Sequence, residues 1–202
     1  MKKLKTKDIT TIGILSALSV VLGLTPLGML PVGVIRITTL HIPTIIAAVV
    51  GGPLVGGIVG LIFGIFSLVQ NIMAPVAISF IFWNPLVSVL PRFLIGFLCG
   101  HIYNFLKSKN IHNVFAFGIT GALGALINTT GVLGLGYLLF KNRLFETFHV
   151  DPKIFMGTIA ITNGPAEMIA SAFIVIALGS ALVSTNIISK NKSKNKNSLK
   201  SM

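Results

Sequence analysis

The sequence predicts an all-α integral membrane protein, a compact bundle of about six transmembrane helices with a re-entrant or lid-like first outer loop. Three observations carry this prediction. Of 202 residues, 53% are hydrophobic and only 10% are charged, whereas soluble domains carry roughly 25% charged residues. Apolar sequence runs almost unbroken from Ile9 to Val183, room for about six crossings of ~20 residues each. Most of the positive charge lies at the two ends and in one loop. Lys2, Lys3, Lys5 and Lys7 precede the first apolar run, Lys107 and Lys109 lie mid-chain, and Lys190, Lys192, Lys194, Lys196 and Lys200 form the tail. With both termini cytoplasmic, all of these fall on one side, as the positive-inside rule requires. The other side receives Lys141, Arg143 and Lys153, offset by Glu146 and Asp151. The net charge of +12 is therefore a topology signal with some attraction to anionic lipid, and not a nucleic-acid footprint.

Residues 1–8 read as a basic cytoplasmic N-terminus, 9–185 as the membrane domain of a multi-pass cell-membrane protein, and 186–202 as a disordered basic tail. The first span, about Ile9 to Leu24, resembles a signal peptide. It lacks a small-x-small cleavage site and reaches Pro26 and Pro31 instead, so it reads as a retained helix. Thr25 to Thr39, with Pro26, Gly28, Pro31, Gly33 and Arg36, is too broken for helix and too apolar for a solvated loop. Irregular backbone at membrane depth is tolerated where it is buried in protein or lines a cavity, which fits a loop folded over a site.

The second span, about Leu40 to Gly51, is short, and a Gly51-Gly52-Pro53 turn leads into a third that ends near Met73. Trp83 falls where an interfacial aromatic belongs. The fourth span runs from about Asn84 to Phe105, the fifth from Val114 to Phe140 and the sixth from Ile154 to Ser184, with Lys141 to Lys153 as the most polar outer loop. Tail residues beyond Lys190 are Lys, Asn and Ser, a composition that cannot bury enough apolar area to order itself. Small residues recur every fourth position: Gly13 and Ala17; Gly52, Gly56, Gly60 and Gly64; Gly96 and Gly100; Gly118 and Ala122. Such stripes let helices approach closely, either within the bundle or against a partner. The lone Cys99 reads as packing.

Asn84, Arg92, Asn128, Asn163 and Glu167 are costly residues inside this apolar sequence, and such residues usually face a bundle interior or a water-filled cavity. Arg92 lies eight residues past Asn84, about 12 Å deep from the outer surface at 1.5 Å per residue. Asn163 and Glu167 are four apart and share a face in the outer half of the sixth span. Asn128 is near the middle of the fifth, and His41 near the outer start of the second. Each has two readings. Arg92 and Glu167 either neutralise each other or hold a ligand, and Asn128 either bridges helices or faces a cavity. His41 either caps a helix or touches ligand, and Asn84, before Pro85, is both a helix-start signal and a cavity candidate. Their convergence on the outer half points to a site for a small polar molecule entered from outside. No phosphate loop of the G-x-x-x-x-G-K-[ST] type is present, the four histidines lack metal-ligand spacing, and no nucleophile has a neighbouring base. Catalysis, a metal and a cofactor are not expected.

The basic N-terminus, the short hydrophobic helices, the Pro/Gly-rich first loop and the small-residue face of the first helix resemble the S components of energy-coupling factor vitamin transporters. Trp83-Asn84-Pro85-Leu86-Val87-Ser88-Val89-Leu90-Pro91-Arg92 and Thr162-Asn163-Gly164-Pro165-Ala166-Glu167 are most similar to the pantothenate-specific branch. The resemblance implies a subunit that binds a vitamin from outside and docks on a transmembrane coupling protein with two ATPases. It places substrate-binding candidates at Asn84, Arg92, Asn128, Asn163, Glu167, His41 and Trp83. It also aligns the family's Ala-x-x-x-Ala docking signature with Gly13 and Ala17, of which only Ala17 matches literally. The carboxylate, amide and two hydroxyls of pantothenate suit Arg92, the asparagines and Glu167. Another solute such as riboflavin or folate, or a membrane assembly subunit that transports nothing, are the alternatives.

Overall fold

The computed structural model describes residues 4–32, 35–185 and 188. Lys2, Lys3, Gly33 and the disordered tail expected over 186–202, residue 188 excepted, lie outside the described residues. Helix α1 (Thr6–Leu24) opens with the Lys5 backbone N–H donating to Asp8 Oδ2 at 2.9 Å. It lies on the periphery, and of its side chains only Ser16 and Ser19 are buried. Gly13 and Ala17 face outward, and nothing lies within 4 Å of a Cβ placed on Gly13. Among the described residues that stripe is not internal packing.

The first loop is a 3-10 turn (Pro26–Gly28) followed by an antiparallel hairpin, β1 (Met29–Val32) with β2 (Ile35–Thr38), in the register Met29 to Thr38 and Val32 to Ile35. A two-stranded ribbon with free edges tolerates Pro31, which has no N–H to give a ladder. Thr39 fastens its base, the backbone N–H donating to Gly28 O at 3.1 Å and Oγ1 to Leu27 O at 2.7 Å.

Helix α2 (Ile42–Gly51) has ten residues, eight of them buried. At about 15 Å it is half the length of a bilayer's hydrocarbon core, and it is sheathed by the other helices. Gly52, at φ 85°, turns the chain into α3 (Pro53–Met73). Two single-turn helices follow, α4 (Ser79–Phe82) and α5 (Pro85–Ser88), and then α6 (Leu90–Ser108). The expected fourth span is thus broken at Val89, just ahead of Pro91, which can open a helix but not continue one. Helices α7 (Asn113–Phe148) and α8 (Pro152–Ser184) form a long hairpin. Counting α5 and α6 together, five helices among the described residues are long and apolar enough to cross a membrane, with α2 as a shorter sixth.

The polar segment 141–153, expected as a loop, is mostly helical. With 36 residues α7 is about 54 Å long, well beyond the ~30 Å of hydrocarbon. After a non-helical Phe140 (φ −128°) it continues with Lys141, Arg143 and Glu146. These residues are polar because the helix has left the apolar layer, and not because it has ended. His149 in the left-handed region and Asp151, whose Oδ1 accepts from Lys153 N at 2.8 Å, make the short turn.

The closest contact in the bundle is between α3 and α6. A Cβ on Gly96 would lie 1.9 Å from Gly56 O, one on Gly60 2.1 Å from Arg92 O, and one on Gly100 2.5 Å from Pro53 Cα. Apolar clusters fill the space on either side, one around Ile45, Ile95, Phe117 and Val175, the other around Ile81, Val87, Leu144 and Met156. Gly96→Ala should therefore force α3 and α6 apart and lower stability by about 1–3 kcal/mol. Gly134→Ala, where a Cβ meets nothing within 4 Å, should be neutral or slightly stabilising. Thermal unfolding of the purified variants tests this, and equal melting of Gly96→Ala and wild type would contradict the close contact.

Candidate functional site

Proline chemistry places the central residue. Pro91 has no N–H, so the carbonyl four residues earlier, that of Val87, receives no helical donor. Arg92 supplies one, its Nη1 donating to Val87 O at 2.7 Å. The guanidinium lies 5.7 Å from the Phe63 ring centroid and 5.3 Å from that of Phe82, within reach of cation–π attraction. Only 6% of Arg92 is exposed, and its Nε is buried with no partner among the described residues.

Arg92 lines a pocket of about 290 Å³ whose walls come from α3, α7, α8, the end of β2 and the segment around α4. That volume is at the small end of the ~300–1,000 Å³ typical of ligand sites. Asn128, Asn163 and Glu167 line the same pocket, so four of the expected residues come together from three helices. Glu167, also 6% exposed, accepts from the Thr38 backbone N–H at 3.2 Å on Oε1 and from Thr129 Oγ1 at 3.1 Å on Oε2. Asn128 Oδ1 is buried and unpartnered among the described residues. No ion pair forms between Arg92 and Glu167 among the described residues; each has its own hydrogen-bond partners. The pocket therefore holds a cation without an anion against it, and an amide oxygen without a donor.

Three expected residues lie elsewhere. His41 is fully buried, with Nε2 2.8 Å from Ser171 Oγ, and does not reach the pocket. Its partner is on α8, so the pair joins α2 to the far end of the chain. Asn84 caps α5, its Oδ1 accepting from Leu86 N at 2.9 Å. Trp83 is half-exposed, donates from Nε1 to Asn71 O at 3.0 Å and lies under the Arg143 guanidinium. Its ring does not line the cavity.

Residues the sequence reading passed over complete the walls. Ser67, Gln70 and Asn71 line the pocket from α3, with Thr129 from α7 and Thr38 and Leu40 from the first loop. The sequence signal was the Ser-x-x-Gln-Asn spacing, which puts three polar side chains on one helical face. Asn71 also secures the cover. Its Oδ1 accepts from Ser79 Oγ at 2.7 Å, and Ser79 Oγ accepts from Val76 N at 2.9 Å. Val76, Ile78 and Phe82 are thereby stapled over the cavity.

Residues 7–179 match the family model described as ECF transporter, substrate-specific component. The chain belongs to this family. An ECF substrate-specific component is a multi-pass membrane subunit of a transporter, and not an enzyme. Its partners are a small substrate and the remaining transporter subunits. This component is 31% identical over 144 residues to a Leuconostoc mesenteroides subsp. mesenteroides protein named pantothenate transporter PanT, covering 68% of this chain and 71% of the relative. It is 27% identical over 198 residues to the pantothenic acid transporter PanT of Lactococcus lactis subsp. cremoris, covering 90% of this chain and 96% of that one.

Proposed function

We propose that this ECF substrate-specific component captures pantothenate from outside the cell in the Arg92 pocket and docks through the outward face of α1 on a transmembrane coupling protein with two ATPases. The observation that carries the solute is the state of Arg92: buried, paired with one carbonyl, and without a carboxylate among the described residues. A buried cation is costly unless paired, and a solute carboxylate supplies that pair as a charge-assisted hydrogen bond. Asn128, Asn163 and Glu167 then take the amide and hydroxyl groups. The names of the two relatives support the same solute. A flat aromatic vitamin fits less well, because the two pocket phenylalanines, Phe63 and Phe82, already face the Arg92 guanidinium.

Arg92→Gln should weaken pantothenate binding by about 2–5 kcal/mol, the range for truncating one side of a buried charge pair. An uncharged amide analogue should bind wild type poorly and lose little more in the variant. Titration calorimetry of both ligands decides the matter, and equal pantothenate affinity in wild type and variant removes Arg92 from the site.

Both termini are cytoplasmic in this reading, on the strength of the lysine distribution. In a Cys99→Ala background, a cysteine placed at Phe145 should label from outside and one at Asn110 should not. The reverse pattern inverts the topology and sinks outside capture.

Docking is supported by Gly13 and Ala17, which leave an open groove one turn long on α1. Ala17→Trp should abolish copurification with the coupling protein and pantothenate uptake, with solute binding near wild type. Loss of binding with docking intact would place that face within the binding machinery.

A further inference from the structure

Gln70 has two neighbours of different kinds. It lines the solute pocket, and its Nε2 donates to the Gly23 carbonyl in the last turn of α1 at 2.5 Å. The last carbonyls of a helix have no intrahelical donor, and Gln70 satisfies one of them in a partly buried position. Since a carbonyl only accepts, the NH2 end of the amide is the end turned to α1. The other end, Oε1, accepts no hydrogen bond among the described residues. The approach of α1 here is close: a Cβ on Gly23 would lie 2.3 Å from Phe66 Cε1, one turn before Gln70 on α3. Along the rest of its length α1 is loosely held, with few buried side chains.

We propose that Gln70 is a specificity-determining residue that also ties pocket occupancy to α1: its oxygen accepts an N–H or O–H from the solute while its NH2 group holds the Gly23 carbonyl. This rests on the reading of the pocket as the solute site. The chemistry sets an orientation. A carboxylate has no proton to offer Oε1, so it goes to Arg92, and the hydroxyl or amide end of the solute goes to Gln70. A solute with a carboxylate but no donor at the other end leaves the Gln70 oxygen unpaired. An amide that accepts at its oxygen donates more strongly through its nitrogen, so a bound solute tightens the Gln70–Gly23 bond. By linkage, anything that displaces the outer end of α1 weakens the solute to the same degree. The exposed Gly13 and Ala17 are on that same helix, on either side of its middle.

The test uses the full chain, with pantothenate as the probe. Gln70→Met keeps the size and removes both polar ends, and Gly23→Ala moves the carbonyl from a position outside the pocket lining. Calorimetry should show pantothenate at least tenfold weaker in Gln70→Met and several-fold weaker in Gly23→Ala. The double variant should be no weaker than Gln70→Met alone, because both changes break one connection. Hydrogen exchange at the end of α1 should slow with pantothenate in wild type and not in Gln70→Met. Wild-type affinity in Gln70→Met, or additive losses in the double variant, overturns the proposal. If wild type itself fails to bind pantothenate, the solute assignment falls instead. The tie to α1 is then decided without ligand: faster exchange there in Gln70→Met than in wild type sustains it, and equal exchange overturns it.

Discussion

Backbone contact between α3 and α6 is the constraint on which the other positions depend. In lipid there is no hydrophobic drive for two helices to associate, so close packing and hydrogen bonds must supply it. Gly56, Gly60, Gly96 and Gly100 allow it by bringing main chain onto main chain. This fixes the start of α6 against the middle of α3, with Gly60 under the Arg92 carbonyl. Phe63, Ser67 and Gln70, one turn apart along α3, then line the cavity that the Arg92 side chain enters. The pocket is a product of that crossing.

Polar groups in this cavity are arranged to keep charges apart. Glu167 is occupied by the backbone of the first loop and by Thr129, which leaves Arg92 free of it. The two opposite charges share one cavity and are not spent on each other. Glu167 thereby closes the loop over the site, through Thr38, while Arg92 remains available to an anion.

Much of this was legible in the sequence, and what was not has physical reasons. Charged and amide residues in an apolar run stand out because their burial is costly, so Arg92, Asn128, Asn163 and Glu167 were recoverable. Ser67, Gln70 and Asn71 carry no charge, and their spacing acquires meaning only once α3 is known to face the cavity. His41 stands at the start of α2 as one of its two readings had it, but its partner Ser171 is 130 residues away and no local pattern marks it. Asn84 is the helix cap that Pro85 signals, while its place relative to the pocket depends on tertiary packing that the local sequence does not carry. Polarity over 141–153 suggests a loop, yet α7 continues through most of it, because a helix longer than the apolar layer carries polar residues where it extends past that layer. The first loop was seen as non-helical, but pairing into a hairpin is a non-local event that its prolines and glycines do not encode.

The proline beside Arg92 has a consequence for how firmly a ligand is held. Anchored on the Val87 carbonyl and flanked by two rings, the guanidinium has already surrendered its rotamer entropy in the empty protein. Ordering a long side chain otherwise takes roughly 0.5–1.5 kcal/mol from an association. The fork-like guanidinium has donors to spare for a second partner after the first is satisfied. A lysine ammonium is a flexible point charge and would have to divide itself between carbonyl and solute. If the proposed function holds, the helix break works as preorganisation: it freezes the receptor in advance, so that solute affinity is not spent on freezing it.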